Sequence, residues 1–351
     1  MKKVLAVLLA MVMTMTAMAG CGSGEKEETK KPAETAAGTE AAGTETKAAE
    51  GTEAPAAEDG KKEVAVLIGD MTATYASWLA QSFEEIAADY PELNVTIIDN
   101  KNSVETQVAN LENCVTKQYD YVIIQPIDNE ALVDPINQTI DAGIPVCTVN
   151  GTNEGSELAS CVDCDPVQQG SIPAEVALKN LPDDAKVVVL LGPSGNVHSI
   201  GRREGFQKTL FDAKPGIEIL DEQIANWYKD EGMALMENWL QKYERIDAVI
   251  SMNDAMALGC IEAAKSVGRE KEMTYYGVDG LADACLSIQD GELTATCVQN
   301  AYAQAEASLD IASRVLKGEI DHETNLVDGE LIDSSNVAEW IEVHTKNGQI
   351  Q

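Results

Sequence analysis

From residue 61 onward the chain alternates short runs rich in valine and isoleucine with longer amphipathic stretches. Val64–Ile68 is continuously apolar, which is typical of a strand buried on both faces of a parallel sheet. The same pattern predicts strands at 95–98, 121–124, 145–149, 186–191, 217–220, 248–251 and 274–278. Strand–helix alternation favours right-handed crossovers and a parallel sheet covered by helices on both faces.

The alternation falls into two sets, which predicts two domains. The first set ends at Asn150-Gly151 and the second begins near Pro166. The body from Lys61 to Gln351 spans 291 residues, which is long for one hydrophobic core. Helices are predicted at 78–90, 104–117, 130–142, 199–211, 233–243, 255–267 and 281–289. The predicted fold class is α/β, with two doubly wound parallel-sheet lobes.

Polar side chains crowd the predicted loops that follow the strands. Open parallel sheets bind ligands beyond the carboxyl ends of their strands. These loops are rich in Asn, Asp and Gln, and they include the aromatic residues Tyr75, Trp227 and Tyr228. Amides and carboxylates match vicinal hydroxyls, and aromatic faces cover the C–H faces of a sugar. The loops concerned are 69–75, 125–129, 150–153, 192–199, 226–230, 253–254 and 279–280.

The first twenty residues have the pattern of a secretory signal peptide. Lys2 and Lys3 precede an uncharged run, Val4–Ala19, and small residues lead to Cys21. The run is too short for a comfortable membrane span. The Cys resembles the lipidated residue of bacterial lipoproteins, although Met18 stands where Leu is commoner. We therefore expect lipidation at Cys21, with an ordinary secretory signal as the alternative.

Residues 21–60 predict a disordered acidic tether. The segment has no aromatic residue and repeats short Ala-Gly-Thr-Glu units. Such a composition cannot bury enough apolar surface to offset chain entropy. Recurrent Gly and Thr weaken the alternative of a helical segment. A lipid at Cys21 followed by this tether predicts an extracytoplasmic protein anchored to the cell membrane.

Charge and cysteine content exclude several functions. The net charge of −34 opposes nucleic acid and anionic lipid, so we expect no nucleic-acid partner and membrane attachment through the lipid alone. Of eight cysteines, Cys161 and Cys164 form the only CxxC, without the further ligands of a zinc site. Buried thiols are the default interpretation, a local disulfide is the alternative, and no metal or cofactor is predicted.

The run Ser251–Gly259, with Asn253-Asp254 followed by Met256-Ala257-Leu258-Gly259, resembles bacterial solute-binding proteins of ribose and related sugar importers. The resemblance extends over residues 64–345 and includes Gly277–Gly280. It implies the type I periplasmic-binding fold, with two lobes joined by a three-segment hinge that closes on the ligand. The implied lobes are 61–162 with 300–322, and 163–299 with 323–351, with crossings near 160–165, 296–300 and 323–327. A helix near 303–317 is then expected in the first lobe.

The resemblance also implies the ligand contacts. Asn253 and Asp279 match residues that hydrogen-bond sugar hydroxyls, and Trp227 and Tyr75 match opposing aromatics. Gln299 matches a ligand-contacting residue at the interdomain crossover. Asn150 takes the place of a common Asp after the fourth strand of the first lobe. Each has a structural alternative: a helix cap for Asn253, a turn for Asp279, lobe packing for the two aromatics, and hinge or turn structure for the last two.

Two departures from the ribose binders indicate a rebuilt pocket. Gly151 and Ile200 stand where those proteins carry ligand-contacting arginines. Losing two guanidinium groups removes several donors for ligand oxygens, so ribose itself is not favoured. Whether His198 or Arg202 replaces them stays open, since His198 is equally a surface residue at a helix start and Arg202 matches a more structural family residue.

The predicted function is capture of a sugar or polyol and delivery to the membrane permease of an ABC-type importer, by a monomer. A sensor that presents the bound sugar to a receptor is the alternative. A carbohydrate-active enzyme is a further alternative, because loops carry several carboxylates. No nucleophile elbow, HExxH or phosphate-binding loop supports catalysis, and no catalytic residue is assigned.

Overall fold

Two six-stranded sheets form the framework of residues 60–350, the part of the chain that our computed structural model describes. In chain order the strands are β1 Lys62–Ile68, β2 Leu93–Asp99, β3 Tyr121–Ile124, β4 Val146–Val149, β5 Ser160–Asp163, β6 Lys186–Leu191, β7 Glu218–Ile224, β8 Ala248–Ser251, β9 Thr274–Tyr276, β10 Ala295–Val298, β11 Thr324–Leu326 and β12 Glu330–Asp333. The first sheet has the order β11-β5-β4-β3-β1-β2, and all of its pairs are parallel. The second has the order β12-β10-β9-β8-β6-β7, in which β12 is antiparallel to β10.

Helices connect the strands and cover the sheets. They are α1 Thr74–Ile86, α2 Val104–Lys117, α3 Asn129–Asp141, α4 Pro166–Asn180, α5 Val197–Phe206, α6 Lys229–Lys242, α7 Asp254–Ser266, α8 Ala282–Gln289, α9 Ala301–Leu316 and α10 Val337–Lys346. A π-helical turn, Gln207–Phe211, extends α5. The two doubly wound lobes predicted from the strand–helix alternation are confirmed. Among the residues described, no helix has the length and apolar character needed to cross a membrane.

Side chains at the carboxyl ends of the strands start several helices. Asp128 caps α3 by accepting from the Ala131 amide at 3.0 Å, and Asn253 caps α7 by accepting from the Met256 amide at 2.9 Å. These caps satisfy amides that have no partner inside the helix, and they place polar residues where strand passes into helix. The polar edge of each sheet is thus partly structural.

Most strand predictions are close to the structure, but two helices were not predicted. The pattern around α4 contains Gly170 and Pro173, which normally count against a helix. Close packing explains Gly170, since a Cβ there would lie 2.0 Å from the Arg202 carbonyl oxygen. In α10 only Val337 and His344 are buried, so the apolar stripe is short.

The chain passes between the sheets three times. It leaves the first sheet after Asp163, returns after Val298, and leaves again between Leu326 and Glu330. The expectation that the second lobe resumes at residue 323 is wrong, because β11 (Thr324–Leu326) pairs with β5 in the first sheet. The predictions for residues 1–20, for the lipidated Cys21 and for the tether up to residue 59 lie outside the described residues.

Candidate ligand-binding site

A cavity of about 200 Å³ lies between the two lobes, at the carboxyl ends of their strands. Both lobes line it. The first contributes residues such as Gly69 and Gln125, and the second contributes Pro193 and Asn196. Every loop that was selected from the sequence supplies at least one residue to its wall. All six predicted site residues line this cavity, and their contact with a ligand stays a prediction: Tyr75, Asn150, Trp227, Asn253, Asp279 and Gln299.

Asp279 is one of the buried acidic side chains of the second lobe, and it is 2% exposed. It follows β9 with a φ of 127°, and its Oδ1 accepts from Arg202 Nη1 at 3.1 Å. Its Oδ2 makes no hydrogen bond within residues 60–350. Burial raises the pKa of Asp279 to about 7; Arg202 opposes this rise and nearby Asp254 adds to it. With this pKa Asp279 is partly protonated at neutral pH, so its Oδ2 can accept from a ligand hydroxyl or, when protonated, donate to one.

Arg202 holds several parts of the cavity wall together. Its guanidinium donates to the Met252 carbonyl oxygen at 2.7 Å and to Gln169 Oε1 at 3.0 Å, and it also donates to Gln299 Oε1. It lies 5.6 Å from the centre of the Trp227 ring, a cation–π distance. Arg202 lines the cavity, so it is close to any ligand, but most of its donors are already used by the protein.

Trp227 stands in an unusual backbone turn. Asn226 and Trp227 have φ values of 48° and 73°, a left-handed conformation that is costly for residues other than glycine. The indole lies directly on Gly192, where an added Cβ would be only 2.1 Å from the ring. Glycine at 192 therefore allows the Trp227 ring to occupy its place in the cavity wall.

Asn253 caps helix α7, which is the structural role considered for it as the alternative to ligand contact. Its Oδ1 caps α7, while its Nδ2 donates to the Trp227 carbonyl oxygen at 3.1 Å. The side chain thus stabilises the strained turn that carries the indole. Its own contact with a ligand hydroxyl, through the remaining amide hydrogen, stays a prediction.

The first lobe supplies Tyr75 and the start of α1. Tyr75 is 8% exposed, contacts Trp78 edge-on at 5.9 Å between ring centres, and has a hydroxyl with no hydrogen-bond partner in the described chain. Ala73 gives α1 no side-chain cap, and the first helical residues line the cavity. Uncapped helix amides are hydrogen-bond donors for oxygen atoms.

Asn150 joins a chain of amides in the first lobe. It has a φ of 52°, and its Oδ1 accepts from Gln125 Nε2 at 2.8 Å. Gln125 Oε1 in turn accepts from the Gly69 amide at 3.1 Å. At the next position, Gly151, a Cβ would lie 2.5 Å from Pro126. The absence of an arginine at 151 therefore has a steric reason.

His198 reaches across the cleft from α5. Its Nε2 lies 3.1 Å from Asp163 Oδ1 and 3.4 Å from Asn150 Nδ2, both in the first lobe. The ring is buried, and its Nδ1 has no partner in the described residues. By contrast, Ile200 is 58% exposed and does not line the cavity. The structure thus places His198 and Arg202 in the cavity wall, and Ile200 is not part of that wall.

Sequence reasoning left some wall residues without a role. Asp70 and Asn102 line the first-lobe side, yet neither was proposed as a site residue. Asn102 lies in a loop that was not among those selected, and only its left-handed φ of 54° distinguishes it. Asp70 belongs to a selected loop, but a short polar loop does not reveal which of its side chains faces inward.

The charges of the cavity wall do not favour an anion. Asp70 and Asp279 bring carboxylates, whereas Arg202 brings one guanidinium that is already paired. At neutral pH an anionic ligand would meet the charged Asp70, and Asp279 whenever it is ionised, without an available positive partner. The wall is suited to neutral hydroxyl groups.

The hinge cysteines are free thiols in the described chain. Cys161 and Cys164 are both buried and unpaired, so the default interpretation applies. Burial raises the pKa of Cys164 to about 12, and its sulfur accepts from Gln304 Nε2 at 3.1 Å. A protonated, buried thiol has little nucleophilic or metal-binding character.

Comparison with known proteins now identifies the family. The profile of the periplasmic binding protein domain matches residues 64–320. The chain belongs to this family. Periplasmic binding proteins capture solutes and are not enzymes, and similar proteins include binding proteins for sugars and related solutes.

Three relatives illustrate the similarity. The xylitol-binding protein of Mycolicibacterium smegmatis is 30% identical over 268 residues, or 75% of each chain. The ribose import binding protein of Bacillus subtilis is 31% identical over 226 residues, which cover 64% of this chain and 72% of that protein. A solute-binding protein of an ABC transporter from Bacillus halodurans, solved with bound myo-inositol, is 30% identical with a TM-score of 0.77, and the match covers 82% of this chain and 99% of that one.

Proposed function

We propose that the protein captures a neutral sugar or polyol of single-ring size in the cavity between its lobes. The composition of the cavity wall is the observation that supports this proposal most strongly. The wall has two aromatic rings, an Asp279 oxygen without a hydrogen bond and several side-chain amides, and its one guanidinium is already paired. Aromatic faces and directional acceptors suit a polyhydroxylated ligand, which presents C–H faces and hydroxyl groups.

The cavity volume supports a small ligand. About 200 Å³ is below the ~300–1,000 Å³ that is common for drug-sized ligands. A disaccharide would need the lobes to stay further apart. Among the relatives above, the xylitol-binding protein and the myo-inositol complex carry names of small neutral polyols, and this agrees with the proposed class.

A thermal-shift panel tests the proposal. The panel contains ribose, xylitol, myo-inositol, galactose and the anion galacturonate, each titrated into the full chain. A neutral ligand at ~100 times its dissociation constant is expected to add about 2.7 kcal/mol to the free energy of unfolding. Asp279→Asn should reduce that shift, whereas the exposed matched control Asp290→Asn should keep it. A shift by galacturonate alone would contradict the proposed ligand class.

We further propose that the chain works outside the cytoplasm as a monomer, anchored by lipid at Cys21, and delivers its ligand to an ABC-type permease. The signal-like start, the small residues before Cys21 and the acidic tether support the anchor. Cys21→Ala should release soluble protein from the membrane fraction. If fractionation of this variant matches that of the wild type, the lipid anchor is refuted, while ligand capture is unaffected.

Delivery has its own test. The closed, ligand-loaded form should stimulate ATP hydrolysis by the cognate importer in proteoliposomes, because ligand biases the lobes toward the form that the permease recognises. Equal ATP hydrolysis with and without the ligand-loaded protein would contradict an import role and favour the sensor alternative.

A further inference from the structure

Tyr228 links the two lobes beside the cavity. It follows Trp227 in the second lobe, and its hydroxyl donates to Asp70 Oδ2 of the first lobe. The same hydroxyl accepts from Asn102 Nδ2 at 3.2 Å. Asp70 and Asn102 line the cavity, whereas Tyr228 does not. The three side chains therefore meet at the edge of the site, where the lobes come together.

The first-lobe acceptor is held ready for this contact. Asp70 Oδ1 accepts from the Thr72 amide at 2.9 Å and from the Thr72 hydroxyl at 2.7 Å, which leaves Oδ2 for Tyr228. Burial opposes ionisation of Asp70, but the hydrogen bonds from Tyr228 and Thr72 outweigh it, so the pKa of Asp70 is lowered. The carboxylate is therefore charged at neutral pH.

Tyr228, the donor of this hydrogen bond, is neutral at the same pH. Burial and the adjacent Asp70 carboxylate raise the pKa of Tyr228 to about 12. The contact is thus a neutral phenol donating to a carboxylate, a charge-assisted hydrogen bond that is stronger than a neutral one. Both sides of the contact are also shaped by left-handed residues, Lys101 and Asn102 at φ 54° and Asn226 and Trp227 at φ 48° and 73°.

We propose that Tyr228, Asp70 and Asn102 form an interlobe latch that stabilises lobe closure separately from the ligand contacts. The latch forms only when the lobes meet at this edge, so a ligand too large for the cavity forfeits it. The latch thereby selects for small ligands and slows the release of a bound one. Only this selection of ligands rests on the proposed function; the contribution to closure does not.

Two tyrosine variants of the full chain test the latch. Tyr228→Phe removes the interlobe hydroxyl without changing a cavity-lining side chain. The matched control is Tyr243→Phe, whose hydroxyl donates to the Leu220 carbonyl oxygen at 2.8 Å inside the second lobe. Each variant loses one tyrosine hydroxyl, but only the first loses hydrogen bonds between lobes, namely those with Asp70 and Asn102.

Hydrogen–deuterium exchange of the ligand-free chain gives the first readout. Peptides from 69–76 line the cleft, so their amides report opening of the lobes. Exchange in these peptides should be about three- to tenfold faster in Tyr228→Phe, a range reduced for partial exposure of the pair. Tyr243→Phe should match the wild type. Asp70→Asn combined with Tyr228→Phe should add little, because both remove the same contact.

Stopped-flow dissociation of xylitol and myo-inositol gives the second readout. Tyr228→Phe should release a bound polyol about three- to tenfold faster, with a smaller change in association. If no neutral sugar or polyol of the panel binds the wild type, the proposed function fails and the exchange measurement alone decides on the latch. Exchange in peptides 69–76 that is equal in Tyr228→Phe and Tyr243→Phe overturns the latch.

Discussion

The contact between Gly192 and Trp227 allows a sharp test of the cavity. In Gly192→Ala the new Cβ would lie 2.1 to 2.4 Å from three atoms of the six-membered ring of the indole. Ordinary contact begins at 3.4 Å, so the ring has to move by at least 1.3 Å. The backbone at 192 tolerates alanine, because its φ lies outside the positive range. The clash is therefore the main effect of the substitution.

The displaced ring is expected to reduce ligand binding more than folding. Overpacking of this kind costs about 1–3 kcal/mol of stability. A shift of more than 1 Å, in a cavity of about 200 Å³, takes space that the ligand needs. We expect the affinity to fall by at least about tenfold, or ~1.4 kcal/mol. Isothermal titration calorimetry with the panel ligand of largest thermal shift measures this loss.

Two further variants separate this reasoning from general destabilisation. Gly195→Ala lies in the same connection, with φ 80° and no atom within 4 Å of the added Cβ, so it should cost stability but keep affinity. Trp227→Phe replaces the indole by a smaller ring and so reduces the clash with the added Cβ at 192. Gly192→Ala should then cost less affinity in the Trp227→Phe background than in the wild type. An unchanged affinity of Gly192→Ala would refute the placement of the indole in the binding cavity.

Three other predictions concern the buried polar groups. Asp279→Asn keeps an acceptor for Arg202 but loses the charge. Calorimetry should show about 10- to 150-fold weaker binding, equivalent to ~1.5–3 kcal/mol. An undiminished affinity would mean that Asp279 has a structural role only. Burial raises the pKa of Asp254 and Asp279 to about 6 and about 7. The native chain thus holds protons that the unfolded chain releases, so urea melts should show stability falling from pH 4 to pH 7, with a shallower fall in Asp279→Asn. His198→Gln should weaken binding and raise exchange in 69–76, because Nε2 bridges to Asp163 across the lobes; wild-type values in both assays would exclude that role.

The sequence predicted the architecture because apolar periodicity is a local signal. Val64–Ile68 and Val187–Leu190 are buried on both faces, and such strands read as continuous apolar runs. The third crossing between the lobes was misplaced because strand pairing over a long sequence distance is not a local signal. Strand β11 is only three residues long, Thr324–Leu326, and its partner β5 lies far away in sequence. Nothing in its composition indicates which sheet it joins.

The sequence located the binding loops but not the hydrogen-bond partners inside them. The rule for parallel sheets points to strand ends, and Trp227 and Asp279 lie there. It does not show that Asn253 supports the Trp227 backbone, or that Arg202 joins four groups around the cavity. Such pairings depend on side-chain positions in three dimensions, and so does the contact of Tyr228 with the opposite lobe.

A crystal structure of the full chain with its most stabilising panel ligand would show directly whether the cavity between the lobes binds that ligand. We expect one neutral sugar or polyol between the lobes, with a hydroxyl on Oδ2 of Asp279 and its carbon skeleton between Trp227 and Tyr75. A ligand bound outside this cavity, or bound within it without contact to Asp279 and Trp227, would contradict the account.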